Sequence, residues 1–253
     1  DVLLTNENNG VSDGGLAGRI DSVTGFIIGI CQYAKLQNQP EFVQKYQTHI
    51  EKALQLLNAW EFNNKDLVYV PLSGNWADEY ITDGYVLYDQ LLRIWALKSY
   101  NHFAKSEIIS QKIQDITNQV ETNFLPNSKE EKYHERAYNE VNFQDYLPCS
   151  FSPSGYKTQF DAFANALVVL LDVGNEETKL GLVPAFWPPV FPEDEHWNLL
   201  KNNCKYEFRN FPYEFHNGGS WSMVNGFVGL AFLSKNLTIE ATTLLEKINA
   251  ANA

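Results

Sequence analysis

The sequence predicts an all-α chain built from helix pairs, an (α/α)6-toroid-like arrangement incomplete at both termini, on three observations. Apolar residues recur at spacings of three and four through most of the patterned segments, and period-two alternation is scarce. The periodic segments come in neighbouring pairs. The long connections carry the Trp, Tyr, His and Gly residues, which places an expected ligand site on loops at one end of the helices. With 253 residues, 44% hydrophobic and 14% aromatic, the chain can bury one large core, and 1–253 reads as a single domain.

In order, residues 1–18 are polar and Gly-rich without a period and read as loop. A helix is expected over 20–36, where Ile20, Val23, Phe26, Ile27, Ile30, Cys31 and Ala34 share one face and Asp21 and Ser22 stand at the start as cap candidates. Residues 41–60 repeat the pattern with Phe42, Tyr46, Ile50, Ala53, Leu54 and Leu57, so the two segments form an antiparallel pair. A short strand is expected over 67–71, ended by Ser73-Gly74-Asn75. Helices follow over 86–100 and 104–124, the second stopped by Pro126. The acidic 127–145 stretch is poorly patterned, and 149–155 reads as loop. Residues 160–173 are apolar nearly all round and should form a central helix. A shorter helix is expected over 176–182, a proline-rich loop over 184–192, and closing helices over 222–234 and 238–250.

A formal charge of −12, with no Lys/Arg cluster to offset it, argues against nucleic acid or anionic membrane as partners. Neutral ligands fit better. No apolar run approaches the roughly 20 residues that a membrane span needs, and no signal peptide opens the chain, so a cytoplasmic location is expected. Asp1 stands where an initiator Met would, so the sequence is expected to be a processed or trimmed piece of something longer. Three widely spaced cysteines, Cys31, Cys149 and Cys204, suggest buried thiols and neither disulfides nor zinc. His134 and His196 lack a second His at ligand spacing, and no Gly-rich phosphate loop is present, so neither a metal nor an organic cofactor is expected.

The most information-dense stretch is F-P-Y-E-F-H-N-G-G-S-W-S-M-V-N-G-F at 211–227. Gly218 and Gly219 permit tight backbone approach, and Ser220 is placed to cap the helix that follows. His216, Asn217, Ser220 and Trp221 together exceed what a cap needs, so the run reads as a ligand-facing loop. Loop carboxylates among aromatics complete the picture: Asp21, Asp78, Glu79, Asp83, Glu207 and Glu214. Aromatic faces and carboxylates are how proteins bind and cleave sugars, one carboxyl protonating the leaving oxygen while another activates water or attacks. Asp78 is the candidate acid, because it lies between Trp76 and Tyr80 on a Gly-bounded loop where rings would desolvate it. Asp78 also fits a plain helix or turn cap, and so does Asp21.

The order of these motifs resembles the neutral/alkaline invertases and their relatives among the α/α-toroid glycoside hydrolases. G-R-I-D-S-V-T-G-F-I-I-G-I at 18–30 is similar to the family's G-R-x-x-x-V-D-S-G-L-W-W-I-I-L stretch, with Asp21-Ser22 on its D-S pair. N-W-A-D-E-Y-I-T-D-G-Y-V-L-Y-D-Q-L at 75–91 resembles the segment carrying the family's general acid, which falls on Asp78. Q-F-D-A-F-A-N-A-L-V-V-L at 159–170 resembles a buried helix, and the 187–221 stretch resembles the proline-rich loop and the Y-H-N-G-G-S-W box. Val23 to Phe26 stand where the family has G-L-W-W, and Glu79-Tyr80 where it has R-R. The family's catalytic base lies beyond the box, and the resemblance therefore implies that it lies beyond Ala253, with Glu214 and Glu207 as contenders inside the chain.

The resemblance implies an invertase-like glycosidase that inverts a small α-linked sugar such as sucrose or an α-glucoside. Asp78 would act as acid, with Asp21, Trp76, Tyr80, His216, Asn217, Ser220 and Trp221 binding the carbohydrate substrate. The alternatives are an epimerase of the N-acylglucosamine 2-epimerase type, with His216 and His134 shuttling a proton, and a non-catalytic carbohydrate-binding toroid. Unfinished ends would expose Phe227, Leu230 and Leu244, or cover them with another copy in a homo-oligomer.

Overall fold

The computed structural model describes residues 19–174 and 190–251. Its elements in chain order are α1 (Ile20–Leu36), α2 (Pro40–Ala59), a 3-10 turn (Phe62–Asn64), β1 (Tyr85–Val86), α3 (Leu87–Ala104), α4 (Glu107–Phe124) and α5 (Glu135–Glu140). Then come β2 (Pro148–Ser152), β3 (Gly155–Phe160), α6 (Ala162–Leu170), α7 (Trp197–Asn203), α8 (Ser222–Ser234) and α9 (Thr238–Ala251). The expected helix over 176–182 and most of the proline-rich loop lie outside the described residues.

Helices α1, α3, α6 and α8 pack as a row in that order, and α2, α4 and α9 back onto α1, α3 and α8. Burial follows position in the row. Helix α2 buries only the stripe Val43, Ile50 and Leu57, as an amphipathic outer helix should. Helix α3 is buried nearly all round, from Leu87 through Leu97 to Tyr100, and α6 likewise from Ala162 to Val169. Polar residues within that interior are paired: Gln90 both accepts from the Val68 N–H and donates to the Val68 carbonyl, each at 2.9 Å. The buried Arg93 forms an ion pair with the equally buried Glu61, which tethers the end of α2 to α3.

The all-α toroid expected from the sequence is not what the chain forms. The described residues carry nine α-helices and a three-stranded antiparallel sheet in the order β1-β2-β3. The stretch read as loop at 149–155 is instead the β2–β3 hairpin, with Pro153 and Ser154 at its turn. Its stability lies in cross-strand partners that local pattern does not reveal. Tyr85 stacks on Phe151 at 4.8 Å and Phe151 on Tyr156 at 5.1 Å, so one aromatic ladder crosses all three strands. Gly84 enters β1 at φ 85, and a Cβ there would fall 2.4 Å from the Phe151 carbonyl oxygen, so the residue has to be Gly. Conversely, the strand expected over 67–71 forms only isolated bridges, Glu61 with Val68 and Val70 with Gly84.

Smaller differences follow the same logic. Helix α6 begins at Ala162 because Phe160 belongs to β3 and Asp161 caps the helix, accepting from the Ala164 N–H at 2.9 Å. Helix α1 is capped at Arg19, so Asp21 lies inside its first turn. The three cysteines are free; Cys31 and Cys149 are buried thiols as read, whereas Cys204 is only half-buried. Of the apolar residues expected at an unfinished end, Leu230 is exposed while Phe227 and Leu244 pack on the core. No helix among the described residues is long and apolar enough to cross a membrane.

Candidate functional site

The N-terminal ends of the four row helices gather at one place. Asp21 in the first turn of α1, Asp89 in the first turn of α3 and Asp161 at the cap of α6 are electrostatic neighbours. Trp76 bridges to the others, touching Phe163 of α6 at 6.5 Å and Trp221, the cap residue of α8, at 5.3 Å. Two loops meet over these ends, 71–84 and 204–221.

The first loop is pinned from several sides. The Ile20 N–H donates to the Gly74 carbonyl at 3.2 Å, which fixes the loop to the start of α1. Arg19 donates to the Asn75 carbonyl at 3.2 Å and to the Asp78 carboxylate at 2.6 Å. Asn203 of α7 donates to the carbonyls of Asp78 and Tyr80 at 3.2 and 3.3 Å. Asp78 thus has a fixed backbone and a side chain 34% exposed. That exposure leaves its carboxyl without the enclosing rings expected of it. Burial raises the Asp21 carboxyl above its ordinary value, opposed by hydrogen bonds from the backbone N–H groups of Ser22 and Trp76 and by the charge of Arg19.

The second loop is an internally bonded cassette. The Asn217 side chain donates to the carbonyls of Val190 and Asn210, each at 2.9 Å, and accepts from the Val190 N–H at 2.6 Å. Asn210 in turn accepts from the His216 N–H at 2.9 Å. These bonds hold Tyr213 at φ 71 and Phe215 at φ 41, left-handed conformations that bulky residues rarely adopt. At Gly219 a Cβ would lie 2.2 Å from the Phe215 carbonyl oxygen, and Trp221 donates its Nε1–H to that same oxygen at 3.1 Å. His216 is sandwiched between Phe215, at 4.0 Å, and Trp221, at 5.2 Å and 21° from parallel. Burial pushes its imidazole down to about 4, against the pull of Asp78 and Glu79, so it is neutral near pH 7.

Residues expected to touch a ligand therefore divide. Trp76, Asp78, Ser220 and Trp221 reach solvent at the junction of the two loops, and Asp21 lies partly buried beneath Trp76. Tyr80 is 1% exposed and sits in the core, so it supports the loop without facing a ligand. Asn217 is fully buried with every amide position engaged, a brace for the cassette. His216 is 3% exposed and lies behind the indoles. Ser220 does not cap α8; its hydroxyl accepts from the Asn225 side chain at 3.1 Å. The contending carboxylates Glu207 and Glu214 are exposed, and Glu79 is engaged by Arg209, which also lies over the Phe215 ring at 4.8 Å. His134 sits in a separate cluster with Tyr85 and Phe151.

Sequence reading missed the brackets: Arg19, Asn75, Asp89, Asn203, Asn210 and Arg209. Arg19, Asn75 and Asp89 stand in the quoted motifs, so their positions carried a signal; Asn203 and Asn210 lie in an unpatterned stretch and carried none. Two broad grooves of about 870 and 880 Å³ open elsewhere, one around Asp66, Glu121 and Tyr133, the other around His134, Tyr156 and Glu195. No group of three or more His, Cys, Asp or Glu among the described residues is arranged to hold a metal ion. No protein-family model and no curated protein matches this chain.

Proposed function

We propose that the chain is a glycoside hydrolase domain acting on a small α-linked sugar at the junction of the 71–84 and 204–221 loops. The observation that carries this reading is Trp76: its ring meets Trp221 and His216 edge-on, its backbone N–H holds the Asp21 carboxyl, and Asp78 stands two residues further on. Two half-buried indoles flanked by two carboxyls suit a pyranose, whose C–H face stacks on rings while its hydroxyls need acceptors. The likeness of the 216–221 box to that of the neutral/alkaline invertases supports the same reading.

Asp78 is the proton donor to the glycosidic oxygen, Asp21 accepts sugar hydroxyls, and water attacks with a carboxylate as base. A carboxylate bonded to a guanidinium carries no proton to give, so Arg19 has to leave Asp78 for a sugar hydroxyl and Asp78 has to take up a proton from solvent before it can deliver one to the glycosidic oxygen. Neutral His216 backs the indoles and bears no charge in the step. The epimerase reading loses its support, because His134 and His216 lie in separate aromatic clusters. A non-catalytic sugar-binding role is favoured by one feature, the exposure of Asp78 on an open face.

The test is release of reducing sugar from sucrose, trehalose and short α-glucans by the full-length gene product, with an Asp78→Asn control. Hydrolysis lost in the control supports the proposal. Binding without hydrolysis would make the domain a carbohydrate-binding one, and turnover only of a free N-acyl amino sugar would restore the epimerase.

A further inference from the structure

The mechanism above makes no use of the most deeply buried acid near the site. Asp89 is 0% exposed, in the first turn of the central helix α3. Its Oδ2 accepts from the Asn75 side-chain amide at 2.9 Å, and its Oδ1 has no hydrogen-bond partner. An acid left half-satisfied in a core costs stability that an apolar residue would not, so its presence asks for a reason. Its one side-chain partner supplies it. The Asn75 Oδ1 accepts from the Ala77 N–H at 3.1 Å, and the Asn75 carbonyl accepts from Arg19, whose other nitrogen holds Asp78. With its nitrogen tied to Asp89, the Asn75 amide can face Ala77 only with its oxygen, and that orientation sets the turn on which Trp76 and Asp78 ride.

We infer that Asp89 is a positioning residue for Asp78, acting from the core through Asn75 and Arg19. The inference deepens the proposed hydrolase reading and rests on it for its catalytic meaning, although the geometry stands without it. The groups that face Asp89 are Asp21 from α1, Asp161 from the cap of α6, Tyr88 from its own helix and Asn75 from the loop. Burial and the two aspartates raise its carboxyl well above the ordinary range, which favours the protonated form, and Oδ2 remains an acceptor in that form. An asparagine at 89 keeps that acceptor, and a leucine removes it.

The experiment follows the Asp78 carboxyl by carbon-13 NMR titration, its signal assigned by its loss in Asp78→Asn. It compares wild type with Asp89→Leu, Asp89→Asn and Asn75→Ser in the full chain. Asp89→Leu and Asn75→Ser should move the Asp78 midpoint by about half a pH unit or more, and Asp89→Asn by clearly less. On whichever α-glycoside the wild type hydrolyses, Asp89→Leu should lower kcat about 10–100-fold with KM little changed. If Asp89→Leu does not fold, Asn75→Ser, which cuts the same chain of bonds, decides. A folded Asp89→Leu or Asn75→Ser variant with an unmoved Asp78 midpoint would overturn the inference, as would an Asp89→Asn shift equal to that of the leucine. If the midpoints move as expected but no glycoside is hydrolysed by wild type, the positioning role stands and the hydrolase reading falls.

Discussion

The indole of Trp76 stands edge-on to that of Trp221, ring centroids 5.3 Å apart and planes at 84°, although the first lies on the loop before α3 and the second caps α8. Neither residue belongs to a repeating apolar face. Each is a half-buried ring of its own loop, and their contact is where the two loops join.

That contact predicts coupled stability. Trp76→Ala removes a ring that meets Phe163, His216 and Trp221, and should destabilise by about 3 kcal/mol. Trp221→Phe keeps a ring but loses the bond from Nε1 to the Phe215 carbonyl, for about 1 kcal/mol. The double variant should cost less than the two changes added, by urea denaturation, because the residues are in contact.

Asp78→Asn should lower hydrolysis of sugars with poor leaving groups by about 10²–10⁴-fold while leaving sugar affinity within a few-fold. The measurement is steady-state kinetics paired with calorimetric binding. Wild-type turnover in the variant would reduce Asp78 to a partner of Arg19.

Two buried groups should shape stability against pH in opposite senses. His216 binds its proton less readily folded than unfolded, so stability is present above about 6.5 and is lost as pH falls through about 4, on the order of 3 kcal/mol. Asp89 binds its proton more readily folded than unfolded. It therefore erodes stability as pH rises from the ordinary carboxyl range through its raised folded value. His216→Phe should flatten the acid limb and Asp89→Asn the other, in thermal melts across pH 4 to 8.

Asn217→Ala should open the second loop. It strands the Val190 N–H and the carbonyls of Val190 and Asn210, and leaving several buried polar groups unpaired costs about 3 kcal/mol or more. Limited proteolysis within 204–221 should accelerate by a comparable factor, while α1–α4 remain protected in hydrogen exchange.

Much of the helical framework was legible in the sequence. Ile20, Ile27, Cys31 and Ala34 on α1, or Ile50 and Leu57 on α2, announce their faces by spacing alone, because an amphipathic stripe is a local property. The box at 211–221 was legible as a loop of special backbone, though two of its polar residues, His216 and Asn217, face inward and not toward a ligand.

What the sequence by itself determined is the set of segments that become amphipathic helices, and the crowding of rings and carboxyls on two connections. Tertiary structure decided the rest, because it depends on partners distant along the chain. Phe151 becomes a strand residue only once Tyr85 and Tyr156 lie against it, and Asp89 acquires a role only through Asn75. Tyr213 and Phe215 hold left-handed backbones that no local preference would choose, since Asn217 and Asn210 bind the loop around them. Hydrogen bonds and ring contacts of this kind have no period, and only the folded chain brings their two halves together.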